Sequence, residues 1–222
     1  MIHTKALIIG KDLRPRCFWC GDDEQYVEYH DLQWARPVVD DTALYEKICL
    51  EGFQAGLSWL TILRKRESFR KAFRGFDPKI VAKFNQRDIN RLINDESIVR
   101  HRGKIEAAIN NAQATLKVQK DFGSLATFIW GFRPKSTTRS NSKAPKRISD
   151  IKASTIESEA LSKALRQHGF KFVGPTTMYA AMQSLGLVND HVEVCFVREE
   201  CAQQQLIAVK KMAKTALDKH AY

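Results

Sequence analysis

Residues 49–59 read CLEGFQAGLSW and join two helical patterns. Upstream, Asp41 can cap a helix that carries apolar residues at intervals of three to four as far as the Gly52 region. Downstream, a second helix begins near Ser58 and turns an apolar face toward a core, with Lys and Arg opposite. The small residue Gly56 allows a tight turn between them. The stretch therefore predicts two consecutive helices joined by a tight turn.

The same helical periodicity covers almost the whole chain. Asp77 followed by Pro78 is a typical helix start. Ser154 with Glu157 forms the pattern of a capping box that opens a helix ending at Gly169. Further helical patterns cover residues 87–93, 104–119, 124–130, 175–185 and about 200–219. Because no alternating run is long enough for a sheet, we expect an all-α fold.

The composition excludes several classes of protein. The chain has 222 residues, of which 44% are hydrophobic and 27% charged, and this balance excludes a wholly disordered chain, a collagen-like repeat and a coiled-coil rod. No apolar run approaches the ~20 residues that a membrane span needs, and residues 1–16 do not read as a signal peptide. We therefore expect the five cysteines in a reducing cytosol, as metal ligands or buried thiols rather than disulfides.

Positive charge dominates the sequence. The 36 Lys and Arg outnumber the 25 Asp and Glu, which gives a formal net charge of +11. Such a surplus favours a polyanionic partner, nucleic acid before an acidic membrane surface. Residues 133–147 hold six cations and no acidic residue, which predicts a mobile basic loop. The alternative is a solvated helix face plus a solubilising loop.

Two pairs of candidate metal ligands lie near the two ends of the chain. Twelve residues separate Cys17 from His30, and three separate His191 from Cys195, which puts the second pair on one face of a helix. Two such pairs can form a tetrahedral zinc site that joins the N-terminal segment to the C-terminal helix. Cys20 competes, because Cys17-x-x-Cys20 is a common half-site and also a redox motif. His191 could instead serve in capping or packing alone.

Several strings of sequence match one known family in order, over roughly residues 17–195. They read YHD at 29–31, CLEG at 49–52, QAGLSW at 54–59, RHRGKI at 100–105, FKFVG at 170–174 and GLVNDHV at 186–192, with Cys17, Trp19, Tyr26 and Trp34 besides. Together they resemble the DNA-3-methyladenine glycosylase I family. The resemblance implies a helix-hairpin-helix fold and a bacterial base-excision repair enzyme that removes 3-methyladenine from double-stranded alkylated DNA.

The resemblance also implies a cofactor and a domain plan. One structural zinc ion would be held by Cys17, His30, His191 and Cys195, with Cys20 outside the site. A glycosylase domain at 17–200 would include the basic loop, between an N-terminal extension at 1–16 and a C-terminal helical tail at 201–222. We expect a monomer in the bacterial cytoplasm, associated with the nucleoid through DNA and not with a membrane.

One departure from the family lies beside the expected zinc site. The family usually has Gly after the tryptophan that matches Trp34, whereas this chain has Ala35-Arg36-Pro37.

The base pocket implied by the resemblance contains a carboxylate and several aromatic rings. Glu51, the expected catalytic residue, would accept hydrogen bonds from the alkylated adenine, and the alternative is a glutamate that pairs with an arginine or caps a helix. Trp59 and Trp19 offer ring faces that attract a cationic base. Tyr29 and Tyr26 could contact the base edge or the pocket wall, with core packing as the alternative.

DNA contacts are implied at two turns. Leu57, which follows Gly56, suits an apolar wedge that enters the stack vacated by a flipped base, and a core leucine is the alternative. Residues 97–104 would form the turn of the hairpin, where helix-start amides point outward and the backbone can approach a phosphate. The residues expected to contact the DNA backbone there are Arg100, Arg102, Gly103 and Lys104.

The implied substrate sets the chemistry. An N3-methylated adenine is already cationic, so its glycosidic bond is weak and the base departs neutral with little acid catalysis. We expect a monofunctional enzyme, because a lyase step needs a deprotonated lysine in the pocket. Lys47 is interpreted as pointing off a charged helix face, and Lys104 is assigned to a phosphate. The alternative function is a non-catalytic, zinc-containing protein that binds damaged DNA, although phosphate binding needs neither Glu51 nor Trp59.

Overall fold

The computed structural model describes residues 6–134 and 144–218, with side chains as far as residue 212, and shows a mainly helical protein. Residues 135–143 of the predicted basic loop lie outside the described residues. The helices are α1 (Glu24–Leu32), α2 (Asp41–Gln54), α3 (Trp59–Ala72), α4 (Pro78–Val81), α5 (Gln86–Ile93), α6 (Arg102–Phe122), α7 (Leu125–Trp130), α8 (Ile156–Gln167), α9 (Pro175–Ser184) and α10 (Arg198–Asp218). Within this described part, no helix is both long and apolar enough to cross a membrane.

The expectation that the chain forms no sheet is wrong. Strands β1 (Leu7–Ile9) and β2 (Pro15–Cys17) pair antiparallel, with Leu7 opposite Cys17. Each strand has three residues, which is too short to produce an alternating pattern that sequence reasoning could detect.

The described residues divide into two compact units. The first is built from Met1–Val38, Arg133–Ala153 and Met182–Tyr222, and the second from Val39–Phe132 and Ser154–Ala181. The first unit therefore contains both ends of the described chain, whereas the second contains the helices from α2 to α8.

A sharp turn follows α1 in the first unit. Ala35, at the position where the resembled family usually has Gly, is buried with a φ of +62°, in the left-handed region that favours glycine. This conformation costs a residue with a Cβ roughly 1–2 kcal/mol. The turn is held in place because Arg36 donates two hydrogen bonds to the Glu200 carboxylate. Gly186 packs against the same turn, and a Cβ there would lie 2.6 Å from backbone atoms of Arg36 and Pro37.

Helix α2 forms the centre of the second unit and packs against α3, α6 and α7. The buried Tyr45 hydroxyl donates a 2.8 Å hydrogen bond to the carbonyl oxygen of Ala108 on α6. Further along α2, the Phe53 ring packs against Phe69 and Phe73, with centroids 4.6 and 5.9 Å away. Because α2 is enclosed along much of its length, charged side chains near its C-terminal end are carried into the protein interior.

The start of α2 differs by one residue from the prediction. Asp40 is the N-cap residue, and its carboxylate accepts a 2.8 Å hydrogen bond from the amide of Ala43. Asp41 instead caps a different helix, because its carboxylate accepts hydrogen bonds from the amides of Leu125 and Ala126 at the start of α7. Both residues are aspartates, so the sequence could not tell which of them faces α2.

Two further helix starts are shifted in the same way. The capping box of α8 consists of Thr155 and Ser158 rather than Ser154 and Glu157. The last helix begins at Arg198, two residues before the predicted position. The predicted start at Asp77 and Pro78 is confirmed, since Asp77 is the N-cap residue of α4.

Lys104 belongs to the core of the second unit, so the prediction that its ammonium contacts a phosphate is wrong. The side chain is buried, and Nζ donates hydrogen bonds of 2.9 Å to the Phe53 carbonyl and 2.5 Å to the Ala55 carbonyl. These carbonyls lie at the C-terminal end of α2, where a helix has acceptors without intrahelical donors. Burial lowers the pKa of Lys104.

Replacing Lys104 by methionine should destabilise the protein. The variant leaves two inward-facing carbonyls without their charged donor, so we expect the free energy of unfolding, measured with urea, to fall by about 1.5–3 kcal/mol. Lys83→Met removes an exposed charge from the same unit and should change it by less than about 0.5 kcal/mol.

DNA binding at several salt concentrations separates the two roles of Lys104. If the core role is correct, the slope of log K against log salt is unchanged in Lys104→Met. A slope smaller by about 0.9 would mean that Lys104 neutralises a phosphate and would contradict the structural assignment.

Candidate functional site

Four buried side chains in the first unit form a cluster that could hold a metal ion. Cys17 ends β2, His30 lies on α1, and His191 and Cys195 lie in the segment that precedes α10. Their ligand atoms all lie within 4.8 Å of one another. The predicted set of residues is therefore brought together, but His191 and Cys195 do not share a helix as the spacing predicted.

The distances in this cluster fit tetrahedral coordination. Cys195 Sγ lies 3.4 Å from His191 Nδ1 and 3.5 Å from His30 Nε2, and Cys17 Sγ lies 3.5 Å from His191 Nδ1. Metal bonds of ~2.3 Å to sulfur and ~2.0–2.1 Å to nitrogen at tetrahedral angles would separate S and N by about 3.6 Å. Two thiols and two imidazoles at this spacing form a donor set that suits zinc.

A chain of polar groups orients His30. Its Nδ1 lies 2.7 Å from Asp31 Oδ1, and Asp31 Oδ2 accepts a 2.7 Å hydrogen bond from Arg16 Nη2. With Nδ1–H donated to the carboxylate, the lone pair of Nε2 faces Cys195. A carboxylate behind a histidine is the common outer partner of metal-ligating imidazoles.

The electrostatics of the cluster favour the ligand forms of Cys195 and His191 and oppose the thiolate form of Cys17. The Cys17 thiol and the two imidazoles lower the pKa of Cys195, so Cys195 is the first of the two thiols to ionise. The hydrogen bond with Cys195, burial and the negative charge of Cys195 together raise the pKa of Cys17. Burial lowers the pKa of His191 and thereby keeps its imidazole neutral, as a metal ligand must be.

Cys20 lies outside this cluster. Its thiol donates a 3.1 Å hydrogen bond to the Cys17 carbonyl, and it is not among the four clustered ligands. The local context is a 3₁₀ turn, Phe18–Cys20, and not the strand-helix-strand unit that a redox Cys-x-x-Cys motif needs.

Aromatic rings enclose the same cluster. The Trp19 ring lies 5.2 Å from the His30 ring and 5.1 Å from the Tyr26 ring, and the Trp34 ring lies 4.6 Å from the His191 ring. Trp34 therefore supports the candidate metal centre. Trp19 combines the same support with contacts to the two candidate base-binding tyrosines, Tyr26 and Tyr29.

A second group of functional candidates lies in the second unit, at the C-terminal end of α2. Glu51 is only 4% exposed, and its Oε1 lies 3.5 Å from Nζ of Lys47, one turn earlier on the same helix. The Lys47 ammonium also lies 3.8 Å from the centroid of the Trp59 ring. The structure therefore brings Glu51 and Trp59 to the same ammonium group, that of Lys47.

The environment of Lys47 differs from the one that the sequence predicts. Its side chain is 12% exposed, so the interpretation that it points off a charged helix face is wrong. Burial lowers its pKa to about 8, partly opposed by the charge of Glu51. The i, i+4 spacing of Lys47 and Glu51 is a signal that could have paired them, but only the packing of α3 places the Trp59 ring against Lys47.

The turn that follows α2 carries an exposed apolar side chain. Gly56 has a φ of +83°, which a residue with a Cβ adopts only with strain, and the next residue, Leu57, is 42% exposed. The alternative of a core leucine is therefore wrong. Ser58 caps α3 by accepting a hydrogen bond from the amide of Thr61, which confirms the predicted helix start.

The predicted hairpin turn lies between α5 and α6. The side chains of Arg100 and Arg102 are about half exposed, and each forms an ion pair on the protein surface. Gly103 is in the first turn of α6 rather than in the loop, against the His101 ring that caps this helix. Sequence reasoning missed Lys65, which reaches from α3 and donates to the carbonyls of Glu96 and Ser97, 3.1 Å from each.

Comparison with known proteins points to one family. Residues 19–199 match the family model described as methyladenine glycosylase. The chain is 48% identical over 183 residues to DNA-3-methyladenine glycosylase 1 of Escherichia coli (strain K12), covering 81% of this chain and 95% of that protein. It is 46% identical over 180 residues to DNA-3-methyladenine glycosylase of Haemophilus influenzae, covering 81% and 96%.

Solved structures agree with these sequence relatives. A crystal structure of 3-methyladenine DNA glycosylase I superposes with a TM-score of 0.76 at 47% identity, covering 82% of this chain and 98% of that one. A variant of a 3-methyladenine DNA glycosylase I, solved in complex with 3-methyladenine, superposes with a TM-score of 0.76 at 37% identity, covering 82% and 97%.

Proposed function

This chain belongs to the methyladenine glycosylase family, and we propose that it is a DNA-3-methyladenine glycosylase that releases 3-methyladenine from alkylated DNA in base-excision repair. The observation that carries the proposal is the pair formed by Glu51 and Trp59. A buried carboxylate and an aromatic face that meet at one cation are suited to a positively charged methylated base.

The chemistry needs little from the protein beyond binding. The N3-methylated base is already a cation and leaves as a neutral molecule, so no strong general acid is required. Glu51 accepts hydrogen bonds from the base and lies against its positive charge, and Trp59 stacks on it. The family resemblance also assigns base binding to Tyr29, Tyr26 and Trp19. The alternative of a non-catalytic damage-binding protein lacks such support, because the matched relatives are named as glycosylases.

The target base must leave the duplex before it can be bound. In double-stranded DNA, Leu57 is the wedge that fills the vacated stack, which its 42% exposure after Gly56 supports. Helices α5 and α6 with residues 94–101 form the helix-hairpin-helix. There Arg100, Arg102 and the helix-start amides at Gly103 bind phosphates, and their exposed ion pairs are weak enough for DNA to replace.

The net charge of the chain and the source of its relatives support a proposal for its partner and its location in the cell. A net charge of +11 suits a protein that works on DNA, and the named relatives come from bacteria. We place the protein in the cytoplasm as a monomer associated with the nucleoid, with the glycosylase domain at 17–200.

Zinc is the metal that we assign to Cys17, His30, His191 and Cys195. When bound, it supplies a cross-link between β2, α1 and the segment before α10, and the residues present fit it in donor type, burial and spacing. The role is structural, because four protein ligands leave no open coordination position for a substrate.

Elemental analysis should find about one equivalent of zinc in the purified protein. His191→Ala removes a ligand, so we expect lower zinc occupancy and a lower melting temperature. Cys20→Ala is the matched control, since its thiol bonds only backbone carbonyls, and should keep the metal. Full occupancy in His191→Ala together with loss in Cys20→Ala would show that this ligand set is wrong.

Glu51→Gln should fold but excise 3-methyladenine more slowly. The amide has no charge and one acceptor, and losing a charge-assisted hydrogen bond costs about 1.5–3 kcal/mol, or roughly ten- to a hundredfold in kcat/KM. The measurement is release of the free base from methylated duplex DNA. Glu67→Gln, exposed on α3, removes the same charge and should leave the rate unchanged. An unchanged excision rate in Glu51→Gln would show that Glu51 does not bind the base.

We keep the assignment of a monofunctional enzyme, but for a different reason. Lys47 is buried 3.5 Å from Glu51, and at pH 7, below its pKa of about 8, its amine is mainly an ammonium, which is not a nucleophile. Borohydride present during reaction with methylated DNA should therefore trap no covalent protein–DNA adduct at pH 7. An adduct that disappeared in Lys47→Met would establish a lyase step and contradict the assignment.

A further inference from the structure

The side chain of Lys47 occupies the position that a cationic base would need. Its ammonium lies 3.5 Å from Glu51 Oε1 and 3.8 Å from the centroid of the Trp59 ring. With 12% of the side chain exposed, the lysine is enclosed with these two groups rather than spread over the protein surface. The Lys47 ammonium thus contacts both the Glu51 carboxylate and the face of the Trp59 ring.

A cationic base and this ammonium would compete for the same contacts. Glu51 offers one negative charge, and Trp59 faces Lys47 with an electron-rich ring. Two cations that share one buried carboxylate repel each other, because like charges in a poorly hydrated site interact strongly. A neutral base bears no charge and would face less of this repulsion.

We propose that Lys47 determines the specificity of this pocket, acting as a resident cation that the positively charged methylated base must displace. This inference rests on the proposed function. Binding of the substrate requires the Lys47 ammonium to swing away from Glu51 and Trp59 or to lose its proton. After the bond is cleaved the base is neutral, and the ammonium returns to the same two groups and favours release of the product.

The charges around Lys47 make the competition depend on pH. Glu51 and Glu46 on its own helix favour the ammonium form, and Arg66 on α3 disfavours it. Lys104 on α6 is directed to the carbonyls of Phe53 and Ala55. Burial lowers the pKa of Lys47 to about 8, so the ammonium is present below that pH and lost as the pH rises through it. Affinity for a cationic base should therefore increase between pH 6.5 and 8.5.

The first experiment compares a cationic with a neutral ligand. The probes are 3,9-dimethyladenine, a permanent cation, and free 3-methyladenine at a pH where it is neutral, each used to inhibit excision from methylated duplex DNA. At pH 7, Lys47→Met should tighten binding of the cation by about tenfold, the order of one desolvated cation–ring contact, and change the neutral base by less than about threefold. An unchanged ratio between the two ligands would overturn the proposal.

The second experiment follows KM and kcat for excision across pH 6.5–8.5. In the wild-type protein KM should fall about tenfold or more while kcat changes little. Lys47→Arg keeps its charge at every pH and should lose this fall, and Lys47→Met should have a low KM already at pH 7. The same fall in KM in Lys47→Arg as in the wild type would also overturn the proposal.

Controls distinguish this inference from a structural role and from the proposed function. Lys83→Met removes an exposed charge from the same unit and should leave KM and the ligand ratio unchanged. If Lys47 only filled space, Lys47→Met would lower kcat and the melting temperature without altering the ratio. Failure of the wild-type protein to release 3-methyladenine at any pH would refute the proposed function itself, whereas release without a Lys47 effect would refute this inference alone.

Discussion

The four buried side chains of Cys17, His30, His191 and Cys195 are the constraint on which the first unit depends. The cluster is where a short strand, one helix and a segment without regular structure meet. Two thiols and two imidazoles packed at 3.4–3.5 Å would be poorly placed without a metal, because one buried thiolate raises the pKa of the other. The zinc ion that we propose there would remove that conflict.

The second unit encloses positive charge, whereas the cluster in the first unit encloses thiols that ionise to negative charge. Two lysines are buried near the end of α2, and each is compensated differently. Lys104 is held by the backbone carbonyls of Phe53 and Ala55, whereas Lys47 is held by Glu51 and Trp59. The first arrangement stabilises the C-terminal end of α2. The second uses the two side chains to which we assign binding of the base, Glu51 and Trp59.

This difference connects stability with function. Burying a charge is favourable only when a partner is close, and a partner that suits a lysine also suits a methylated purine cation. The contacts that hold Lys47 are therefore of the same kind as those that we propose for the methylated base. Exposed residues such as Leu57, Arg100 and Arg102 meet no comparable constraint, and their position in turns and at a helix start leaves them accessible to DNA.

The sequence by itself determined the helical character, the position of α4, the four clustered ligands and the family, because these depend on local periodicity, cap residues and strings of matched residues. It could not determine which of two adjacent residues caps a helix, as with Asp40 and Asp41 or Ser154 and Thr155, since both are capable and only packing selects one. It also could not place Lys47 and Lys104. Their partners, Trp59 and the carbonyls of Phe53 and Ala55, lie 12 to 51 residues away along the chain, and only the tertiary structure brings a charge and its partner together across that separation.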